Sequence, residues 1–158
     1  KESLNSEAMM LDRNTGKLYI FEKDDSETVR LFVHPGDFKS DAVQMLTEVS
    51  AFAPPGVDVK YGKLITAADL HASGKRVLIR VYSGSYEYRL GENQSLADLH
   101  AITPILAAAG PTTEPQGEAA CYSADGDGFW TISENQKGND TIPLHFYGCK
   151  EPSQPRQP

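Results

Sequence analysis

Six residues occupy matched places in three similar segments of this chain, and their types are those that hold polar ligands. Glu7, Thr66 and Glu118 open the segments, while Lys23, Arg80 and Glu134 stand near the end of the strand that follows in each. Charges of both signs converging on one mouth would make a site for a polar ligand, or for Ca2+ where carboxylates dominate. The plainer alternative is a ring of structural salt bridges that closes the mouth. A second oxygen-rich stretch, Ser123-Ala124-Asp125-Gly126-Asp127-Gly128 followed by Glu134, has the spacing of a helix-flanked calcium loop. Three features oppose that reading. Ser123 replaces the first Asp, Trp130 stands where a small aliphatic residue is usual, and the flanks have the pattern of strands. Asp125 and Asp127 read first as a hairpin turn and second as a weak Ca2+ site of another geometry.

Other chemistries find less support. His34, His71, His100 and His145 are scattered singly, with no spacing that would bring two imidazoles onto one zinc ion. There is no Gly-x-Ser-x-Gly elbow and no phosphate-binding glycine loop, which counts against acyl and phosphoryl transfer. Tyr82, Tyr86 and Tyr88, with Trp130, have acidic neighbours and would suit the faces of sugar rings; packing between sheets would use the same side chains.

The elements that must position these residues repeat three times. Ser6 to Phe21, Thr66 to Ile79 and Gly117 to Ile132 each run from small residues through a turn closed by glycine into an apolar strand. The turn glycines Gly16, Gly74 and Gly126 recur 58 and 52 residues apart, a period suited to one four-stranded propeller blade with long loops. Strands are expected at residues 7–11, 17–23, 28–33 and 43–49, then at 64–71, 76–82, 85–90 and 102–108, then at 118–123, 128–133 and 142–147. Ser40 could instead cap a helix carrying Val43, Leu46 and Val49. A short helical turn is expected from Ser95 to His100. The fold class that follows is all-β: three blades, at about residues 4–53, 62–109 and 115–149, the last lacking its outer strand. Residues 150–158, rich in Pro and Gln, read as a disordered tail.

Three blades are too few to close a ring, and a bare third edge invites pairing. The sequence therefore reads as half of a six-bladed propeller. Its completion would fall to a separate N-terminal half or to a second copy of the chain. With 15 basic against 22 acidic residues the net charge is −7, and no basic cluster offers a nucleic-acid surface. No apolar run is long enough to span a membrane. The chain opens on Lys1, so it is expected to follow a cleavage or truncation. Cys121 and Cys149 both lie in the third segment, where a disulfide would staple one blade. That pairing, with the sequons at Asn93 and Asn139, points to a secreted or extracytoplasmic protein.

The residues Glu7-Ala8 with Thr15-Gly16-Lys17-Leu18-Tyr19, Ile65-Thr66-Ala67-Ala68-Asp69 with Ser73-Gly74-Lys75-Arg76-Val77, and Pro115-Gln116-Gly117-Glu118-Ala119 with Asp125-Gly126 and Thr131-Ile132-Ser133-Glu134 carry a likeness. The chain resembles the C-terminal blades of secreted six-bladed propellers, in the blade pattern of esterase-like phytases and gluconolactonase-like proteins. The resemblance implies architecture and assigns no catalytic residue. The expected function is recognition of a polar ligand, such as a glycan, with Ca2+ as a possible aid. The alternatives are a Ca2+-dependent propeller hydrolase acting on phosphoesters or lactones, and a structural extracellular module.

Overall fold

The computed structural model describes residues 4–39, 41, 43–110, 114, 116–134 and 141–149. Three antiparallel sheets follow one another along the chain. The first has β1 (Ala8–Asp12), β2 (Lys17–Phe21), β3 (Val29–His34) and β4 (Thr47–Phe52) in sequence order. The second has β5 (Ile65–Leu70), β6 (Arg76–Val81), β7 (Gly84–Arg89) and β8 (Ile105–Ala109). The third has only β9 (Gly117–Tyr122), β10 (Gly128–Ser133) and β11 (His145–Gly148). Strand β1 packs beside β5 and β5 beside β9, so the first strand of each sheet is innermost and the later strands lie progressively outward.

The turn after each innermost strand is built alike. The amides of Gly16, Gly74 and Gly126 close it on the carbonyls of Asp12, His71 and Ser123, and all three glycines have φ between +69° and +78°. A side chain there would strain the backbone, which is why glycine punctuates the repeat. The short 3-10 helix Leu96–Ala101, capped by Ser95 and Asp98, tucks Leu96 and Leu99 against the first sheet, and Ser50 Oγ donates to Ala97 O at 3.1 Å.

Two seams join the sheets, and they differ in kind. Between the first and second lies an apolar core of Met10, Phe21, Leu31, Phe52, Ile65, Ile79, Tyr88 and their neighbours. Between the second and third the apolar cluster shrinks to Leu78, Ala108, Ala120 and Phe129 with a few partly buried companions. Polar groups take up the rest. Arg80 and Glu114, both 0% exposed, pair at 2.9 Å; Thr131 Oγ1 donates to the other oxygen of Glu114 at 2.7 Å, and Thr66 Oγ1 donates to Gly117 O at 2.6 Å. Gly117 passes so close to the Arg80 guanidinium that a Cβ would overlap it. At the outer part of the seam Glu87 receives Arg76, Arg89 and the Tyr122 hydroxyl.

Several expectations move. The fourth strand forms at Thr47–Phe52 rather than 43–49, because Phe52 is the side chain that reaches the core while Val43 and Met45 stay exposed. Strands β8 and β11 start after Pro104 and Pro143, which have no amide to give a ladder. The disulfide is absent, since Cys121 and Cys149 are free thiols. They flank β10 on opposite sides: Cys121 pairs with Trp130, whereas the Cys149 amide meets Asp127 O. Two strand spacings, about 10 Å, separate them, beyond disulfide reach, and residues 127 and 130 face opposite ways. Cys149 Sγ instead accepts from Arg76 Nη2 at 2.8 Å. Asn139 and residues 150–158 fall outside the described residues.

Candidate functional site

At one end of the innermost strands a polar relay crosses all three sheets. Lys23, two residues beyond β2, pairs with Glu7 and donates to Tyr82 Oη at 3.0 Å. Tyr82 donates in turn to Glu118 Oε1 at 3.0 Å. Gln116 Nε2 donates to the same Glu118 oxygen at 2.8 Å and to Glu134 Oε2 at 2.6 Å. Burial favours a neutral Lys23, but its bonds to Glu7 and Tyr82 outweigh that and raise its pKa, so the ammonium is kept. Burial raises the Tyr82 pKa, with the Glu118 carboxylate adding to it and Lys23 opposing, so the phenol stays protonated and acts as donor.

Four of the six matched residues therefore meet: Glu7, Lys23, Glu118 and Glu134. The other two do not line this mouth. Thr66 and Glu118 do share a position, each the extra residue of a bulge where the inner strand leaves register with its neighbour. Threonine is too short to follow glutamate outward, and its hydroxyl ties β5 to β9 from a buried place. Arg80 is drawn into the seam by Glu114. Its role in the relay passes to Tyr82, which stands eight residues after the turn glycine Gly74, as Glu134 does after Gly126. Counting from the glycines would have found it. Gln116 carries no such signal, because it belongs to the connection before β9.

Tyr82 and Gln116 also line a cavity of about 540 Å3, walled on its other side by Val59, Lys60, Tyr61, Gly62 and Leu64. The 57–64 turn is held by Ser83, whose hydroxyl donates to Gly62 O at 2.7 Å and accepts from Val57 N at 3.2 Å. Tyr61 has φ 66°, a left-handed conformation unusual for a bulky side chain, and it stays half exposed at the rim with Lys60 over its ring. Of the other aromatic candidates, Tyr88 is buried against Phe52, Tyr86 packs on the first core, and Trp130 lies on the far flank of the third sheet against Phe146.

The calcium-loop spacing does not gather its residues. Asp125 Oδ1 accepts from Ser123 Oγ at 2.6 Å and Asp127 N at 3.0 Å, bonds that hold its carboxyl below the usual range and serve the hairpin turn. Strand β10 then carries the chain away, so Glu134 ends about 20 Å from Asp127. Among the described residues no three His, Cys, Asp or Glu side chains converge to hold a metal ion.

No family model and no curated protein matches the sequence. Among solved structures, the PQQ-bound form of an aldose sugar dehydrogenase from Streptomyces coelicolor, a β-propeller enzyme, superposes with a TM-score of 0.53 at 14% identity. The match covers 90% of this chain and 43% of that one, so the chain spans less than half the length of its neighbour. Identity this low speaks for the fold alone and does not reach the narrower likeness to phytase-like or gluconolactonase-like propellers. What the sheets and the superposition establish together is a propeller-like, all-β fold.

Proposed function

We propose that this chain is a ligand-binding propeller module whose groove takes a neutral, hydroxyl-rich ligand of sugar size. The observation that carries the reading is that the polar relay meets a cavity of about 540 Å3 through Tyr82 and Gln116. Sugar hydroxyls both donate and accept, and the cavity wall presents the Tyr82 phenol, the Gln116 amide, the Ser83 hydroxyl and the Lys60 ammonium. Tyr61 and Tyr82 supply ring faces for the apolar side of a pyranose. The volume is within the common range for small-ligand sites, about 300 to 1,000 Å3. Glu118 and Glu134, bonded to Tyr82 and Gln116 behind the cavity wall, set two carboxylates against Lys60 at the wall and so disfavour an anionic ligand. PQQ, named with the structural neighbour, is a polycarboxylate and fits this donor set poorly.

Mixed charge bordered by aromatics supports binding over Ca2+-dependent hydrolysis, the alternative that calls for converging carboxylates. Calcium assistance has a simple check, since the relay groups satisfy one another directly: EDTA is expected to leave affinity unchanged. An extracytoplasmic site of action belongs to the same proposal and draws on the exposed Asn93 sequon. The test is calorimetric titration with neutral mono- and disaccharides, with glucuronate as the anionic control. Saturable binding of a neutral sugar that weakens about tenfold in Tyr82→Phe supports the reading, the loss expected for one hydrogen bond to a charged group. Equal affinity in Tyr82→Phe, or preference for glucuronate, overturns it.

A further inference from the structure

Each outer flank of this three-sheet stack carries an apolar row, on the first sheet edged by Arg30 and Glu48. On the first sheet, Met9, Ile20 and Phe32 lie across from one another, and Leu11 lies across from Leu18, all on the face turned away from the second sheet. Met9 is 65% exposed and Leu11 45%. On the third sheet, Cys121, Trp130 and Phe146 form the corresponding row on the opposite flank, with Ala119 across from Ile132 beside them. Trp130 and Phe146 are exposed and touch only each other's rings among the aromatics. These are the two faces that sheet-on-sheet stacking uses inside the molecule, and no third sheet of the described residues packs on either.

We propose that a second copy of this chain covers both flanks at once, the first sheet of each copy stacking on the third sheet of the other. This goes beyond the ligand reading and does not depend on it. Continuity of the stacking is the first argument. The seam between the first and second sheets joins the outward-going face of one sheet to the incoming face of the next. The Trp130 flank is an outgoing face, and the Met9 flank is an incoming one. A second copy supplies both complements, and a twofold axis makes the two junctions identical, which closes the assembly. The size of the structural neighbour is the second argument: the chain accounts for 43% of it, so a partner of similar size completes the fold.

The experiment is the solution mass of the full chain by sedimentation and light scattering, with two charge variants. The wild type is expected at twice 17.3 kDa. Met9→Glu and Trp130→Lys each place one charge in both junctions of their own dimer, and each should weaken association about a hundredfold or more. Mixing the two variants should restore the dimer, because the mixed pair has one wild-type junction and one in which Glu faces Lys. Both side chains are exposed, and far-UV circular dichroism checks that each variant keeps its sheets. A wild-type monomer at about 100 μM, well above the dissociation constants of permanent dimers, overturns the proposal. Open polymers overturn the twofold closure. A Trp130→Lys protein that still dimerises, or variants that stay apart on mixing, overturn the head-to-tail junction.

Discussion

Replacing Arg80 with Met should be among the costliest single changes in this protein, and replacing Glu114 as well should return most of the loss. Both side chains are 0% exposed and meet at 2.9 Å. At that separation the attraction is about 6 kcal/mol with an effective dielectric near 20. Part of this is offset when the guanidinium no longer has to be desolvated, and a net cost of about 3–5 kcal/mol is expected for stranding the carboxylate. Arg80 Nη1 also gives up its bond to Ser85 Oγ at 3.2 Å. The Glu114 carboxylate keeps the Thr131 hydroxyl at 2.7 Å and His145 Nε2 at 3.8 Å but loses its guanidinium partner. In Arg80→Met/Glu114→Met the buried charge is gone and apolar volume remains, so the double variant should recover at least about 2 kcal/mol of the summed single losses. Urea denaturation followed by circular dichroism, at one fixed protein concentration so that association does not enter, measures all four proteins. An Arg80→Met loss under about 1 kcal/mol, the scale of a surface pair, or strict additivity in the double variant, would refute the reasoning.

Gly117→Ala tests the same seam from the backbone side: its methyl group collides with a guanidinium that has no solvent to retreat into, and a loss of about 1–3 kcal/mol is expected in the same assay. Stability should fall in acid. Hydrogen bonds from Arg30 hold the Glu22 carboxyl below its ordinary value, and those from Arg76 and Arg89 do so for Glu87 against the opposing effect of burial. A carboxyl depressed on folding contributes above its unfolded pKa, about 4.3, and the contribution disappears as pH drops through the folded value. Thermal melts from pH 6 to about 3 should show the decline, and Glu22→Gln should flatten part of it. A thiol titration should count both cysteines per chain without reductant, and a single reactive thiol or none would contradict the placement of Cys121 and Cys149 on opposite faces.

The strands that read most clearly from sequence are those where apolar alternation meets a left-handed glycine turn, as in Lys17–Phe21 after Gly16 and Arg76–Val81 after Gly74. The outer strands were harder. Val43, Met45 and Val49 form a better apolar alternation than Ser50 and Phe52, the two residues that β4 buries, and only tertiary packing decides which segment is used. The site was half legible for a related reason. Repeat position identified Glu7, Glu118 and Glu134, but side-chain length and a buried partner decide where an equivalent residue points. Thr66 cannot reach the mouth, and Arg80 finds Glu114, whose place in a connecting segment no periodicity announces. The disulfide expectation failed on strand order: two cysteines close in sequence to the same sheet were placed on either side of its middle strand.

The unlike seams give the stack opposite responses to solvent conditions. Contact between the first and second sheets rests on apolar area, whose contribution fades on cooling. Contact between the second and third rests heavily on charges and hydroxyls, among them the Glu87 carboxylate, which Arg76 and Arg89 hold below its ordinary pKa against burial and which acid neutralises. Cold should therefore loosen the first junction before the second, and acid the second before the first. Amide hydrogen exchange would see this as two protection patterns that trade places, with β9 and β10 opening first at low pH and β1 and β2 opening first near freezing. The order in which the chain comes apart is then set by its surroundings as much as by its sequence.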